Sequence, residues 1–497
     1  MCHPEARRTG FFLSGLWDDV RVFLPLTRHL TTHRLGVGSM AWVAAVVYAV
    51  LGLVRFATFR ATTFDMVIVD QAVRGYASFG APYTPSVGVS KGLGPETLQL
   101  ADHFSPVYAL LSPFYWIADG PRTLIVCQAV LFAAAIPSLW LFARRRLGVA
   151  AAYLVAGAYA VSWPVAQAVN FDVHEVMFVP LLSAVMIERF DAGRRLPAYL
   201  AACGLLLVKE DMGLMLIGFG AALALSRRRL DGAIVAAAGI GGLALVRGVL
   251  IPLAGGSDDN HWRYDHLGDS LPAALWTLVR DPLHTLHLVF GDAMKIDTLV
   301  LLCWLTLFLC LFSPLILAAA PMVLERLVSD YSLWWSWDHH YNAFVVVIVF
   351  CAGADSAARL LRRVPASGAA MTTWAVAVAA VAVTQIPRFA FDQLADPGFY
   401  DRYPRAAAAH EAMGRVPDGA VVEAANHIGP MMTHRTTVLL WEPGSRSAPW
   451  VVADLSQWTY PWRSAADQGR AVSARQADGY RIVFSADGFV VLHRPGS

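Results

Sequence analysis

The chain predicts an all-α polytopic membrane bundle of about eleven helices, followed by a small C-terminal α/β domain outside the membrane. Three observations carry that fold class. Hydrophobic residues make up 57% of the 497 residues and charged residues only 15%, against roughly 25% charged in soluble domains. The mean hydropathy is +0.49. The apolar runs also stop near Asp392, where a soluble composition begins. This composition excludes a disordered chain and a large water-soluble enzyme. A formal net charge of +2 leaves no basic footprint for nucleic acid.

A spanning helix takes about 20 mostly apolar residues. Segments 38–57, 122–143, 149–167, 174–190, 231–253, 341–358 and 369–387 fit that requirement. Two longer apolar stretches are interrupted, 196–226 by Lys209, Glu210 and Asp211, and 297–328 by Ser313 and Pro314. Each half reaches only about 20–24 Å at ~1.5 Å per residue. Each stretch therefore reads either as two short spans or as a re-entrant hairpin, with the same parity either way.

Residues 1–36 hold five arginines and no apolar run ending in a small-residue cleavage site, so they read as a cytoplasmic or interfacial segment without a cleavable signal. Within them, Phe11 to Leu26 has the composition of an interfacial amphipathic helix. Arginine clusters follow alternate spans at Arg144 to Arg146, Arg194 and Arg195, Arg227 to Arg229, and Arg359 to Arg363. Basic residues in short loops mark the cytoplasmic side. The intervening loops are acidic: 58–121 carries five acids against three bases, and 254–296 six against three. The N-terminus is thus expected inside and the C-terminus outside, in a bacterial plasma membrane. The transmembrane part is 37–390, with a long first outer loop at 58–121, and the outer domain is 391–497. Strands are expected at 420–424, 436–441, 450–454, 480–485 and 488–493, and helices at 404–414 and 463–476. Asp487-Gly488 supplies a tight turn between the last two strands.

Cys127, Cys203, Cys303, Cys310 and Cys351 lie in apolar runs and read as small buried residues. Neither they nor Cys2 have the spacing of a zinc site or a disulfide framework.

The informative polar residues gather at the expected outer ends of the spans. An ionisable residue in a span costs about 2.5–3.5 kcal/mol, so it is paired, faces a cavity, or is functional. Lys209-Glu210-Asp211 therefore reads either as a self-neutralised helix cap or as the lining of an outward cleft. The first loop carries Asp65 and Asp70, and then Asp102-His103 ahead of an apolar segment, 104–117. Parity excludes that segment as a full span, so it should dip into the membrane or lie along it. Asp172, His174 and Glu175 join the third and fourth spans. Asp338, His339, His340 and Tyr341 open the span at 341–358, after a tryptophan-rich stretch typical of a membrane interface. His and Asp also make a divalent cation a candidate ligand, although no pair has the spacing of a metal motif. In the C-terminal domain, Asn426, His427 and His434 read as structural.

The motifs FDMVIVDQ, HFSPVYALLSP, LIVCQAVLFAAAIPSLWLFARRRLG, NFDVHE, LLLVKED and DHHYNA, over roughly residues 40–360, resemble a bacterial family of predicted polytopic membrane proteins classed as a domain of unknown function. The end of the chain, from PDGAVVEAANHIGPMMTHR through ADGFVVLHRP, looks like the tail often attached to that family. The family is similar in layout to the GT-C superfamily of membrane glycosyltransferases, which take sugars from polyprenyl-phosphate donors. The resemblance implies an inverting transfer to a lipid, glycan or protein acceptor, with an acidic residue of the first loop as base. Asp65 is the first candidate. A second acid commonly follows that carboxylate, but Met66 stands there, which leaves the base open between Asp65, Asp70 and Asp102. The departing phosphate needs cationic or hydrogen-bonding partners. Lys209 is the preferred one, with His103, His174, His339 and His340 beside it. Glu210, Asp211, Asp172, Glu175 and Tyr341 are expected around the same donor site. Two other classes compete: a transporter or lipid-handling protein, and a non-catalytic envelope assembly protein. The piling of polar residues on one side, with no internal repeat, favours the enzyme.

Overall fold

The computed structural model describes residues 33–257, 262–444 and 448–496. The amphipathic segment expected at 11–26 lies outside these residues. Among them, five helices are long and apolar enough to cross a bilayer: Arg34–Ala57, Pro121–Leu147, Val149–Asn170, Arg229–Leu253 and Ser367–Arg388. All five coincide with expected spans. Val149–Asn170 is interrupted at Val161 and Ser162, just ahead of Pro164, which cannot continue an interior hydrogen-bond ladder.

The other expected spans are shorter. Segment 174–190 becomes a single 3-10 turn, Glu175–Phe178, and then the helix Val179–Asp191. Segment 341–358 likewise begins as the 3-10 turn His340–Phe344 before the helix Val346–Leu361. Polar residues tied into the site described below occupy these tightened starts. Stretch 196–226 forms Arg195–Leu206 and Met212–Leu225 on either side of a break at 207–211. Stretch 297–328 contributes Ala293–Trp304, two 3-10 turns and Ala320–Leu327. The count of about eleven therefore rests partly on segments too short to cross a bilayer alone.

One end of the bundle is held by a network of arginines and acids. Arg145 bonds Glu188 at 2.7 Å and Asp191 at 2.8 Å. Arg146 pairs with Asp191 and, at 2.7 Å, with Asp355. Asp355 also binds Arg359 at 2.8 Å and accepts from Ser313 Oγ at 2.6 Å. The arginine clusters that follow two separate helices thus meet at one end, on acids of the helix Val179–Asp191 and on Asp355.

The helices Met212–Leu225 and Arg229–Leu245 approach each other through glycines seven residues apart. A Cβ on Gly213 would lie 2.4 Å from the Gly239 carbonyl oxygen, and one on Gly220 2.6 Å from that of Gly232. Small residues let backbones touch where hydrophobic burial against lipid offers little driving force. This hairpin fixes the break that carries Lys209. Gly220→Val should push the helices apart and cost about 1–3 kcal/mol by overpacking, read as a lowered Tm in detergent.

The C-terminal domain is a five-stranded sheet with strands at all the expected positions: β1 Val421–Ala424, β2 Thr437–Leu440, β3 Trp450–Asp454, β4 Arg481–Ala486 and β5 Phe489–His493. The order is β2-β1-β3-β5-β4. β1 runs parallel to both β2 and β3, and β5 runs antiparallel to β3 and β4. Asp487 and Gly488 have φ of 48° and 84°, as the tight β4–β5 turn requires. Side chains alternate across the sheet. Val422, Ala424, Val452 and Val491 pack against the helix Ala406–Gly414, together with Phe59 and Val67 of the first loop. Val451, Ala453, Val490 and Leu492 pack with Val472 of the helix Ala465–Ala477 on the other face. The domain is therefore docked on the first loop through its own core.

Candidate active site

The first loop meets the bundle at a π-helical turn, Thr63–Val67. The opening N–H groups of a helix lack partners within it and need acceptors from elsewhere. Here they come from two distant segments. Asp172 Oδ2 accepts from Thr62 N at 2.8 Å and from Thr62 Oγ1 at 2.5 Å. Asn426 accepts from Thr63 N through its carbonyl at 2.6 Å, and from Phe64 N through Oδ1 at 3.2 Å. A Cβ on Gly429 would lie 2.1 Å from Thr63 Oγ1, so only glycine allows this approach. The next residue of the turn is Asp65.

Asp65 Oδ1 lies 3.3 Å from His174 Nε2, and its Oδ2 is 3.3 Å from Thr62 Oγ1, whose single hydrogen goes to the nearer Asp172 Oδ2. Its side chain is 25% exposed, whereas those of Glu175 and Glu210 are 5% and 9% exposed. Asp65 is thus the acid of the group that a substrate can reach. His174 Nδ1 sits 2.9 Å from the Asp172 carbonyl oxygen. A carbonyl only accepts, so Nδ1 carries a hydrogen. Burial works against charge on His174, but the Asp65 hydrogen bond and charge, with Glu175 behind them, push it up to about 9. The ring stacks on His340 at 4.0 Å between centroids and on Phe171 at 5.2 Å. Burial, reinforced by His174 and Lys209, holds His340 well below the ordinary histidine range. A neutral ring therefore lies against a charged one. Asp172 is pushed up to about 6 by burial and by Asp65, against the pull of Arg55.

From His174 the charges continue as a chain. Glu175 Oε1 binds Lys209 Nζ at 2.9 Å, and its Oε2 accepts from Tyr108 OH at 3.1 Å. Burial would raise Glu175, but Lys209, His174 and His103 outweigh it and bring it down to about 2. Glu210 Oε1 binds His103 Nδ1 at 2.8 Å, and its Oε2 accepts from Phe104 N at 3.2 Å. Asp102 pairs with Lys91. Because 174–175, 209–210 and 102–103 are adjacent residues, four ion pairs form one ladder from Asp65 to Lys91. Lys209 and Arg326 each lie within electrostatic reach of His340 beside it. Arg326 Nη1 and Asp211 Oδ1 are buried without a hydrogen-bond partner among the described residues, and Glu325 accepts from Tyr264 OH at 3.0 Å.

The structure thus joins Asp65, Asp102, His103, Asp172, His174, Glu175, Lys209 and Glu210. His339 and His340 border them through the Phe171 ring, and Tyr341 packs on His340 at 4.2 Å. Asp70 is placed apart. It is fully buried, accepts from Tyr115 at 2.6 Å and Thr433 at 2.8 Å, and pairs with Arg74 at 3.2 Å. One turn further along the helix than Asp65, it ties the first loop to the C-terminal domain. Lys209, expected as an available cation, is already neutralised by Glu175. The expected open pocket is instead a closed chain of ion pairs. A cavity of about 670 Å³ lies alongside, between the first loop and the C-terminal domain, lined by Arg60, Tyr403, His427, Trp458 and Tyr460. The Tyr460 ring meets that of Phe64, the residue before Asp65, at 5.9 Å. A second cavity of about 600 Å³ is an apolar groove between Arg34–Ala57 and Val149–Ala160. Neither is lined by Lys209 or Glu175.

Sequence reasoning missed Arg55, Thr62, Tyr108 and Arg326, and gave Asn426 no role at the site. Arg55, which bonds Asn170 Oδ1 at 3.1 Å, was signalled by its place at the end of the first span. Arg326 was masked by the apolar stretch around it.

Among the described residues no three His, Cys, Asp or Glu side chains are grouped to hold a metal ion.

The His174 pairing predicts a pH dependence. Its folded value of about 9 lies above the ordinary 6.5. The stabilisation, roughly 3 kcal/mol at most, is complete below pH 6.5 and disappears as pH rises through about 9. The Tm in detergent should fall over that interval, and His174→Gln should flatten the profile.

No curated protein matches the chain. Among solved structures it is similar to ArnT from Cupriavidus metallidurans bound to undecaprenyl phosphate, at 12% identity and a TM-score of 0.48, covering 93% of this chain and 98% of that one. It is also similar to the Archaeoglobus fulgidus oligosaccharyltransferase tethered with an acceptor peptide, at 12% identity and a TM-score of 0.43, covering 85% of this chain and 69% of that one. The family described as predicted membrane protein (DUF2079) matches residues 55–491. The chain belongs to that family, the one its motifs resemble.

Proposed function

We propose that the protein is a membrane glycosyltransferase of the GT-C type. It moves a sugar from a polyprenyl-phosphate donor to a lipid, glycan or protein acceptor on the outer side of the bacterial plasma membrane, with Asp65 as general base. The observation that carries this reading is the reachable Asp65 carboxylate, held by His174 on a turn clamped from both sides. With the arginine network on the cytoplasmic face, the ladder and the C-terminal domain lie outside.

In the proposed step an acceptor hydroxyl gives its proton to Asp65 as its oxygen bonds the anomeric carbon. The bond from that carbon to the phosphate oxygen breaks, and its electron pair leaves with the phosphate. One displacement inverts the anomeric configuration. Arg326, with a buried N–H that has no partner among the described residues, is the cation suited to the departing phosphate. The cavity next to Phe64 suits the acceptor. The exposed Leu110, Phe114 and Ile117 of the 104–117 segment offer the polyprenyl chain an apolar surface.

The test compares envelope glycans and lipid-linked sugars in wild-type, deletion and Asp65→Asn cells. Loss of one glycan modification with build-up of a lipid-linked sugar in both altered strains supports the reading. Identical profiles in all three overturn it.

A further inference from the structure

The second long loop, which its acids mark as a solvated connection, contains a helical hairpin: Leu271–Arg280 and Pro282–Phe290. Each helix is amphipathic, and its apolar face is uncovered. Leu271, Leu275, Trp276 and Val279 are 53–74% exposed on one face of the first helix. Leu283, Leu286 and Phe290, at i, i+3 and i+7, are 51–78% exposed on the second. Such spacing puts each set on a single stripe. The helices have 10 and 9 residues, about half of what a bilayer crossing needs.

The opposite faces are anchored. Ala274 and Val289 pack with Tyr264, Leu267, Leu327 and Val328 in a small core. Lys295 Nζ donates to the carbonyls of Leu288 at 2.7 Å and Leu327 at 2.6 Å, bolting the hairpin to the helix Ala320–Leu327. That helix carries Glu325, which accepts from Tyr264 OH, and Arg326.

We infer that the hairpin 271–290 lies flat in the outer interfacial layer of the bilayer, with its exposed apolar stripe sunk among the lipid chains. Continuity favours lipid as the occupant. The next helix, Ala293–Trp304, carries an exposed apolar stripe of the same kind, Ile296, Val300 and Trp304 at 41–46% exposure, and leads into the apolar stretch 297–328. The acids Asp269, Asp281 and Asp292 fall at the helix ends, where they remain in water, and the exposed His284 and His287 of the second helix flank its apolar stripe. Through Lys295 and Tyr264 the hairpin then sets the level of the lipid headgroups against Glu325 and Arg326. This inference stands independently of the transfer reaction.

The test uses the full-length protein in nanodiscs of phosphatidylcholine and phosphatidylglycerol, with tritiated lipid. p-Benzoylphenylalanine replaces Trp276, Leu283 or, as a control on the same loop, the exposed Asp265. These side chains are largely solvent-exposed, so each substitution should keep the wild-type elution profile. On irradiation, phospholipid adducts are expected at 276 and 283 and not at 265. Cross-links to a second copy of the chain at 276 and 283, lipid adducts at all three positions, or no lipid adduct at 276 and 283 would each overturn the inference.

Discussion

Replacing Asp65 by Asn is expected to slow sugar transfer by about 10²–10⁴-fold, the usual contribution of a positioned base, while leaving the protein folded. The amide keeps a polar contact to His174, but it cannot take up the acceptor's proton. The cost in the barrier is about 3–5 kcal/mol. Asp70→Asn should behave differently. It removes the charge that Arg74 pairs with and disturbs bonds from Tyr115 and Thr433, so its first effect is on Tm. Single-turnover rates and thermal unfolding, measured on both variants, separate the two roles. An Asp65→Asn protein of wild-type rate would remove Asp65 from the chemistry.

Lys209→Met is expected to lower stability by about 3–5 kcal/mol, because it leaves the Glu175 carboxylate buried without its cation. The two side chains are only 13% and 5% exposed, so water cannot take over the pairing. Lys209→Met with Glu175→Gln should recover most of the loss, since the amide can still accept from Tyr108 OH. A double-mutant cycle by thermal unfolding in detergent reads this coupling directly. A single variant as stable as wild type would mean that the ladder is ornamental. If activity stays low in the recovered double variant, Lys209 also acts on the phosphate.

What the sequence discloses follows from how local each signal is. The five long helices and all five strands were readable because hydropathy over about 20 residues and side-chain alternation are properties of consecutive residues. The arginines at one end were readable from loop charge alone. The acids and imidazoles of the site were also recognisable as expensive residues in apolar surroundings. Their pairing was not, because nothing in the order of residues connects Glu175 to Lys209 or Glu210 to His103 before the 207–211 break brings them together. Asp70 remained an alternative to Asp65, the first candidate, because both sit on one helical segment. The burial of Asp70 against Tyr115, Arg74 and Thr433 separates them. Asn426 lies far along the chain from Thr63, and its clamp exists only once the domain has packed on the first loop. The hairpin 271–290 was hidden by the acids of its loop, which dominate the charge tally but sit at the helix ends.

Membranes from the deletion strain provide the most direct measurement, since they should hold both the unused donor and the unmodified acceptor. Purified wild-type protein added to them should consume the polyprenyl-phosphate sugar and form a product of inverted anomeric configuration, and Asp65→Asn protein should do neither. Consumption by both proteins, or by neither, would contradict the assignment of this chain as a transferase with Asp65 as its base.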